Sequence, residues 1–275
     1  SIALPSAARA ATCDDIARFD LPAAIAKLRE LSGAASVDVI GHCLGGTATL
    51  MALLSEAGLE GVRSLILSGS AADVCVPTGA EIRAGLHLPD LLAELLADLG
   101  VEKLSADPGP GWIDRLFDRF TALQPAAIAD HDRNPVSRRI TFLYGKLYEQ
   151  ARLNAQTYDY GLGELFGPAN LTILEHLGML VRAGHLVDAA GGEVYMGRFA
   201  ERLRLPITFL HGTEDRHYLS ESSERTYQRL LQHNGPTLYR RHVLPGYGHI
   251  DPLIGQDAAR EIYPLILAAL GEPPA

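Results

Sequence analysis

The sequence has few cysteines, little positive charge and no apolar stretch long enough to span a membrane. Its three cysteines, Cys13, Cys43 and Cys75, exclude a disulfide framework, and so small a number favours a reducing compartment. The first residues also lack the basic-then-apolar order of a secretory signal peptide. We therefore predict a cytoplasmic protein without a membrane span.

Basic residues are outnumbered by acidic ones. Lysine and arginine total 24 against 33 aspartates and glutamates, which gives a net charge of −9. This balance argues against nucleic acid or an anionic membrane surface as the main partner. The ten histidines show no metal-ligand spacing with cysteine, and no strand-to-helix turn carries a G-x-G-x-x-G pattern. We therefore expect no metal and no cofactor in this chain.

The most informative stretch is the one around Cys43. An apolar run, Val37 to Ile40, predicts a buried strand, and a small-residue pattern from Thr47 to Ala57 predicts a helix. The turn between them reads Gly-His-Cys-Leu-Gly, and G-x-[nucleophile]-x-G between a strand and a helix is typical of a nucleophile elbow. We predict that Cys43 is the nucleophile and that the Leu44 N–H is an oxyanion donor. The alternative is a buried structural cysteine.

Two further candidates follow later strands. The predicted strand Leu205–Leu210 precedes Asp215, and the predicted strand Leu238–Leu244 precedes His249. Strand ends of a parallel sheet meet at one edge, so we expect these side chains to meet Cys43 there. Nucleophile, acid and histidine in this order are typical of α/β-hydrolases. Glu214 could replace Asp215 as the acid, and Asp251 could make the histidine a structural residue.

The chain divides into three segments on composition. Residues 1–70 read as the first part of a parallel α/β core, since Val62 to Leu67 predicts the next strand. Residues 71–203 read as an inserted helical cap, and residues 204–275 as the second part of the core. The apolar cap suggests a hydrophobic acyl or sterol-like substrate. Candidate substrate-binding residues are His42, Trp112 and Tyr247.

Three segments carry a family resemblance: Asp14 to Ile25, the elbow Gly41 to Gly45, and the tail Leu244 to Asp251. They resemble the α/β-hydrolase domain fused C-terminally to GMC-type, cholesterol-oxidase-like flavoproteins. The resemblance implies a cysteine in the serine position and a helical cap. It implies FAD only if a fused oxidase domain exists. Polyhydroxyalkanoate synthases resemble the chain at the elbow alone.

One feature departs from that family pattern. The sequence predicts only four strands, all from the elbow strand onward, whereas an α/β-hydrolase has earlier strands whose loop supplies a second oxyanion N–H. We therefore predict an α/β-hydrolase fold with an inserted helical cap and with the N-terminal strands missing from this chain. An upstream strand-bearing segment, in the same or another chain, is the expected partner.

The predicted function is acyl hydrolysis, as an esterase or thioesterase, by a Cys43-His249-Asp215 triad acting on a small-molecule acyl substrate. One alternative is an acyltransferase of the polyester-synthase type, which passes the acyl group to a hydroxyl instead of water. The other is a non-catalytic docking module of a fused flavin oxidase.

Overall fold

The computed structural model of the chain describes residues 11–78, 134–166 and 169–271, together with residues 103, 104, 115 and 119. Trp112, a candidate substrate-binding residue, lies outside the described residues. Among the described helices, none is long and apolar enough to cross a membrane.

The centre of the structure is a parallel sheet of four strands in the order β1-β2-β5-β6. These are the four strands that the sequence predicts, within about two residues at each end. A short antiparallel pair, β3 with β4, was not predicted. The strands are β1 (Val37–His42), β2 (Val62–Ser68), β3 (Lys103–Leu104), β4 (Ala169–Asn170), β5 (Ile207–Gly212) and β6 (Tyr239–Leu244).

Helices surround this sheet. The α-helices of the described residues are α1 (Cys13–Asp15), α2 (Leu21–Ser32), α3 (Leu44–Leu54), α4 (Pro135–Tyr144), α5 (Leu162–Leu165), α6 (Leu171–Ala183), α7 (Phe199–Arg202), α8 (Ser220–Asn234), α9 (Asp251–Ile254), α10 (Ala258–Glu261) and α11 (Tyr263–Gly271). Single π-helical turns at Ile16–Asp20 and Thr157–Gly161 and 3₁₀ turns at Gln150–Arg152 and Met196–Arg198 complete the set.

The core has two parts because side chains alternate between the faces of a strand. On one face, Leu65 and Phe209 pack with the almost entirely buried helix α3. On the other face, Ile66 and Leu210 pack with Ile262 and other apolar residues near the C-terminal end of the described chain. After Leu44, the first half of α3 consists of the small residues Gly45 to Thr49, which allow a helix to pack closely against a sheet.

The predicted domain boundaries remain predictions, but the structure adds one feature to the proposed cap. Residues from its second half belong to the same buried cluster as α3 and the sheet. They are Leu180, Leu186, Val187, Tyr195, Phe199 and Leu203. The stretch from α6 to α7 therefore contributes to the core as well as to any cap.

The strand β1 lies at the end of the four-stranded sheet, and no strand of the described residues pairs with its outer edge. The N–H groups of Val37 and Cys43 donate toward β2, so the alternate N–H groups, those of Asp38 and Ile40, point outward. The Ile40 side chain is 47% exposed. That an additional strand covers this edge stays a prediction.

Candidate active site

The backbone at Cys43 has a strained conformation. Its φ of 49° makes it the one non-glycine residue with positive φ in the described parts of the chain. Such a conformation costs about 1–3 kcal/mol and persists only where the surroundings enforce it. The Cys43 N–H donates to the Ser68 carbonyl at 3.0 Å, and the Cys43 carbonyl accepts from the Thr47 N–H at 2.9 Å. These bonds hold the cysteine at the apex between β1 and α3.

Two glycines are sterically required for this sharp turn, but Gly45, the second glycine of the motif, is not one of them. A Cβ on Gly41 would lie 2.6 Å from the Gly46 Cα, and a Cβ on Gly46 would lie 2.0 Å from the Ser70 Oγ. A Cβ on Gly45 would meet nothing within 4 Å. The close packing of turn and sheet thus requires Gly41 and Gly46, while Gly45 borders open space.

The helix α3 begins directly after the cysteine, three residues earlier than the sequence pattern predicts. Leu44 is its first residue, and the first N–H groups of a helix have no acceptor within the helix. These groups and the helix dipole favour negative charge at Cys43 and at an oxygen bound beside it. The Leu44 N–H is the first of these groups after Cys43, and its role as an oxyanion donor stays a prediction.

The predicted base and acid form a buried pair. His249 Nδ1 and Asp215 Oδ2 lie 2.8 Å apart, and their side chains are at most 1% exposed. The other carboxylate oxygen of Asp215 accepts the backbone N–H groups of His217 and Tyr218, each at 2.9 Å. His211 Nε2 lies 3.3 Å from Asp215 Oδ2. Asp215 is therefore fixed from three sides and orients the imidazole.

The alternative partners of the histidine have other contacts. Asp251 Oδ2 accepts the N–H groups of Gly248 at 2.6 Å and of Glu149 at 3.1 Å, which ties down the loop that carries His249. Burial raises the pKa of Asp251 to about 6. Glu214 is partly exposed, and its carboxylate accepts from the Thr213 hydroxyl at 3.3 Å. In this structure the imidazole is paired with Asp215.

The charges of these groups reinforce one another. Burial alone would raise the pKa of the Cys43 thiol, but the charge of His249 and hydrogen bonding from His217 lower it well below its ordinary value. Burial opposes a charged His249, yet the negative charges of Cys43 and Asp215 raise its pKa. The arrangement stabilises a thiolate–imidazolium pair, which is the reactive form of a cysteine nucleophile.

His42, a candidate for substrate binding, does lie in the site. Its ring centroid is 4.7 Å from that of His249, and its Nδ1 is 3.2 Å from the Ser68 Oγ. Burial and the neighbouring charge of His249 lower the pKa of His42 to about 3. The lowered pKa favours a neutral His42, whose ring packs beside that of His249.

Tyr247, the other described candidate for substrate binding, lies elsewhere. Its side chain belongs to the core cluster on the α11 side of the sheet. Its hydroxyl donates to Glu261 at 2.7 Å, and the Arg152 guanidinium lies 4.3 Å from its ring centroid. Tyr247 therefore packs on the face of the sheet opposite to the one that α3 covers.

Sequence reasoning missed two residues of the site. A Cβ on Gly69, which has a φ of 58°, would lie 2.8 Å from His249 Nδ1, so only glycine fits there. His217 is the second missed residue, and its ring centroid is 4.8 Å from that of His249. One ring nitrogen of His217, one ring nitrogen of His249 and the Cys43 Sγ all lie within 4.8 Å of one another. Its position two residues after Asp215 was the available signal, because aspartate side chains commonly bind that backbone N–H.

No family model matches the sequence, and no curated protein matches it. Solved structures match over almost the whole chain. A lipase in an open form is 14% identical with a TM-score of 0.52, covering 94% of this chain and 72% of its own. A Mycobacterium tuberculosis protein described as a non-heme bromoperoxidase is 14% identical with a TM-score of 0.50, covering 91% and 74%. The parallel sheet, the flanking helices and these similarities show the α/β-hydrolase fold.

Proposed function

We propose that this chain is an acyl hydrolase, an esterase or thioesterase, that works through a covalent acyl-cysteine at Cys43. The observation that carries the proposal is the strained Cys43 backbone at the start of α3, beside the buried His249–Asp215 pair. A structural cysteine needs neither the strain nor a charged pair beside it. Strain of this kind is typical of residues held for reaction.

In the proposed reaction, the Cys43 thiolate attacks the carbonyl carbon of an ester or thioester. The carbonyl oxygen becomes an oxyanion, which the Leu44 N–H stabilises. The tetrahedral intermediate then expels the alkoxide or thiolate, which takes a proton from the His249 imidazolium. Water attacks the acyl-cysteine, His249 accepts its proton, and the acid product leaves with the thiolate restored. Asp215 keeps the imidazole oriented and stabilises its positive charge throughout.

A single oxyanion donor is weak support for that intermediate, and we propose that a strand-bearing segment supplies the second. The outward N–H groups of β1 and the exposed Ile40 side chain support a parallel strand at this edge. A loop leaving the carboxyl end of such a strand would lie near Cys43, since strand ends of a parallel sheet meet at one edge. The proposed segment lies in the same chain or in another, as the resemblance to oxidase-fused hydrolase domains implies.

For the substrate, we propose a hydrophobic acyl or sterol-like ester. The support is the apolar composition of the segment between β2 and β5 and, at the level of fold alone, the similarity to a lipase. The predicted acyltransferase differs only in the acceptor. Supplying a hydroxyacyl thioester and analysing the product for polymer distinguishes a transferase from a hydrolase.

The test is intact-mass analysis after brief exposure of the protein to a p-nitrophenyl ester, with p-nitrophenol release recorded in parallel. We expect one acyl adduct, and its loss in Cys43→Ala. The matched control is Cys75→Ala, because Cys75 is also partly exposed but has a pKa that burial raises. If folded protein that retains its natural neighbouring segments forms no adduct and releases no p-nitrophenol, the proposal is wrong and the docking-module alternative gains support.

A further inference from the structure

The acyl-transfer mechanism uses His217 only to stabilise the Cys43 thiolate, although its ring lies at the nucleophile. One ring nitrogen of His217, one of His249 and the Cys43 Sγ all lie within 4.8 Å of one another. The first backbone N–H groups of α3 follow the cysteine directly. Three side chains of the kinds that bind soft and borderline metal ions thus converge on one point.

The positions of both imidazoles are fixed by other contacts. The Asp215 carboxylate accepts the His217 backbone N–H, and the His217 ring packs edge-on against Tyr218, with centroids 5.4 Å apart. Asp215 also holds His249 through Nδ1, which leaves Nε2 for the site. A carboxylate bound to the far nitrogen of a histidine is the usual support of a metal-binding imidazole.

His249 Nε2 is the second indication of a ligand. The atom is buried, and no group among the described residues forms a hydrogen bond with it. A buried polar atom without a partner is costly, so its presence calls for an explanation. A proton shared with the thiolate is one partner, and a metal ion bound between the same atoms is another.

Ligand chemistry favours zinc among the divalent ions. One thiolate and two imidazoles match its preference for sulfur and nitrogen in tetrahedral geometry, with a fourth position left for water. Bond lengths of about 2.3 Å to sulfur and about 2.0 Å to nitrogen place such ligand atoms about 3.5 Å apart. The separations here are at most 4.8 Å, so the three atoms must approach one another by up to about 1.3 Å to bind one ion.

We propose that Cys43, His217 and His249 form a zinc site and that the bound ion switches off acyl transfer. Binding converts the thiolate–imidazolium pair into two metal ligands and releases the His249 proton to solvent. The sulfur lone pair and the base are then both occupied, so a carbonyl cannot be attacked. The inhibitory consequence rests on the proposed function, whereas the binding itself does not.

The test is titration of the protein with Co²⁺, which reports on ligands by absorption. We expect one equivalent, with a thiolate-to-cobalt charge-transfer band and the intense visible bands of tetrahedral coordination. His217→Ala is expected to weaken binding at least tenfold, and Cys43→Ser to remove the charge-transfer band. The matched control is His185→Ala, because the His185 side chain lies on the surface, 2.6 Å from Glu193. The His185→Ala variant should bind Co²⁺ as tightly as the unaltered protein does.

The outcomes separate the two proposals. Cobalt binding without acyl adduct formation leaves the metal site standing and refutes the hydrolase. Acyl adduct formation with no cobalt bands refutes the metal site, as does an unchanged affinity in a His217→Ala protein whose circular dichroism shows that it is folded. With both activities present, Zn²⁺ should block acylation of the unaltered protein at concentrations at least tenfold below those needed for His217→Ala.

Discussion

The most decisive perturbation of the site is a single methyl group at Gly69. The structure places the Cβ of an alanine there 2.8 Å from both Cε1 and Nδ1 of His249 and 3.3 Å from the Asp215 Oδ2. Separations under 3.0 Å are not tolerated and ordinary contact begins at 3.4 Å, so the imidazole or the backbone must shift by about 0.2–0.6 Å, which disturbs the contact between His249 and Asp215. A displacement of about 1 Å in a catalytic group can cost about a hundredfold in rate.

We therefore expect Gly69→Ala to slow acylation of Cys43 by about ten- to a hundredfold. The positive φ of Gly69 adds a separate effect, since an L-residue in that conformation costs about 1–2 kcal/mol of stability. Gly33→Ala isolates that cost, because Gly33 has a φ of 69° and a Cβ on it would meet nothing within 4 Å. It should lower the free energy of unfolding similarly while acylation proceeds at the original rate.

The assay is the initial rate of p-nitrophenol release with intact-mass detection of the adduct, beside chemical unfolding of each variant. A Gly69→Ala protein that is folded and acylates as fast as the unaltered protein would refute the reasoning. It would mean that the imidazole position is not what limits the reaction. Equal losses of rate in both variants would show instead that strain alone accounts for the effect.

Three other measurements address the same structure. Iodoacetamide should alkylate Cys43 almost equally fast at pH 6 and pH 8, because the lowered pKa keeps the thiol ionised at both values. Cys75 has a raised pKa and should react appreciably only at alkaline pH. Peptide mass analysis distinguishes the two alkylated cysteines. In the p-nitrophenol assay, Asp215→Asn should reduce the acylation rate by about 10³-fold or more, because the imidazole loses its orientation. Glu214→Gln should change the acylation rate little. In hydrogen exchange, the outward Ile40 amide should exchange much faster than the inward amides of β1, and equal protection would indicate that a strand already covers this edge.

The sequence predicted those parts of the site that depend on short segments. A strand, a glycine turn and a helix identify Cys43 locally, and Asp215 and His249 are recognisable because each directly follows a strand. Gly69 was not recognisable, because the atoms that require a glycine there belong to His249 and Asp215 in other segments. Such close approaches exist only once the chain is folded.

The same distinction explains the two aromatic candidates that the structure separates. His42 directly precedes Cys43 and Tyr247 lies two residues before His249 in the sequence, but only the His42 ring lies near the proposed catalytic groups. His42 is at the end of β1, where the strand continues directly into the turn and keeps its side chain near His249. Tyr247 is between two glycines, and the backbone freedom there lets its ring reach Arg152 instead.

Asp215 connects the two proposals, because its two carboxylate oxygens have different partners. One oxygen accepts the backbone N–H groups that position His217, and the other pairs with His249. An asparagine could keep the first set through its carbonyl oxygen, but its amide group could not accept from His249 Nδ1–H. Asp215→Asn should therefore leave His217 near the thiol while it disturbs the base. Cobalt affinity should then fall less than acylation does, whereas Asp215→Ala, which removes both sets of contacts, should reduce both strongly.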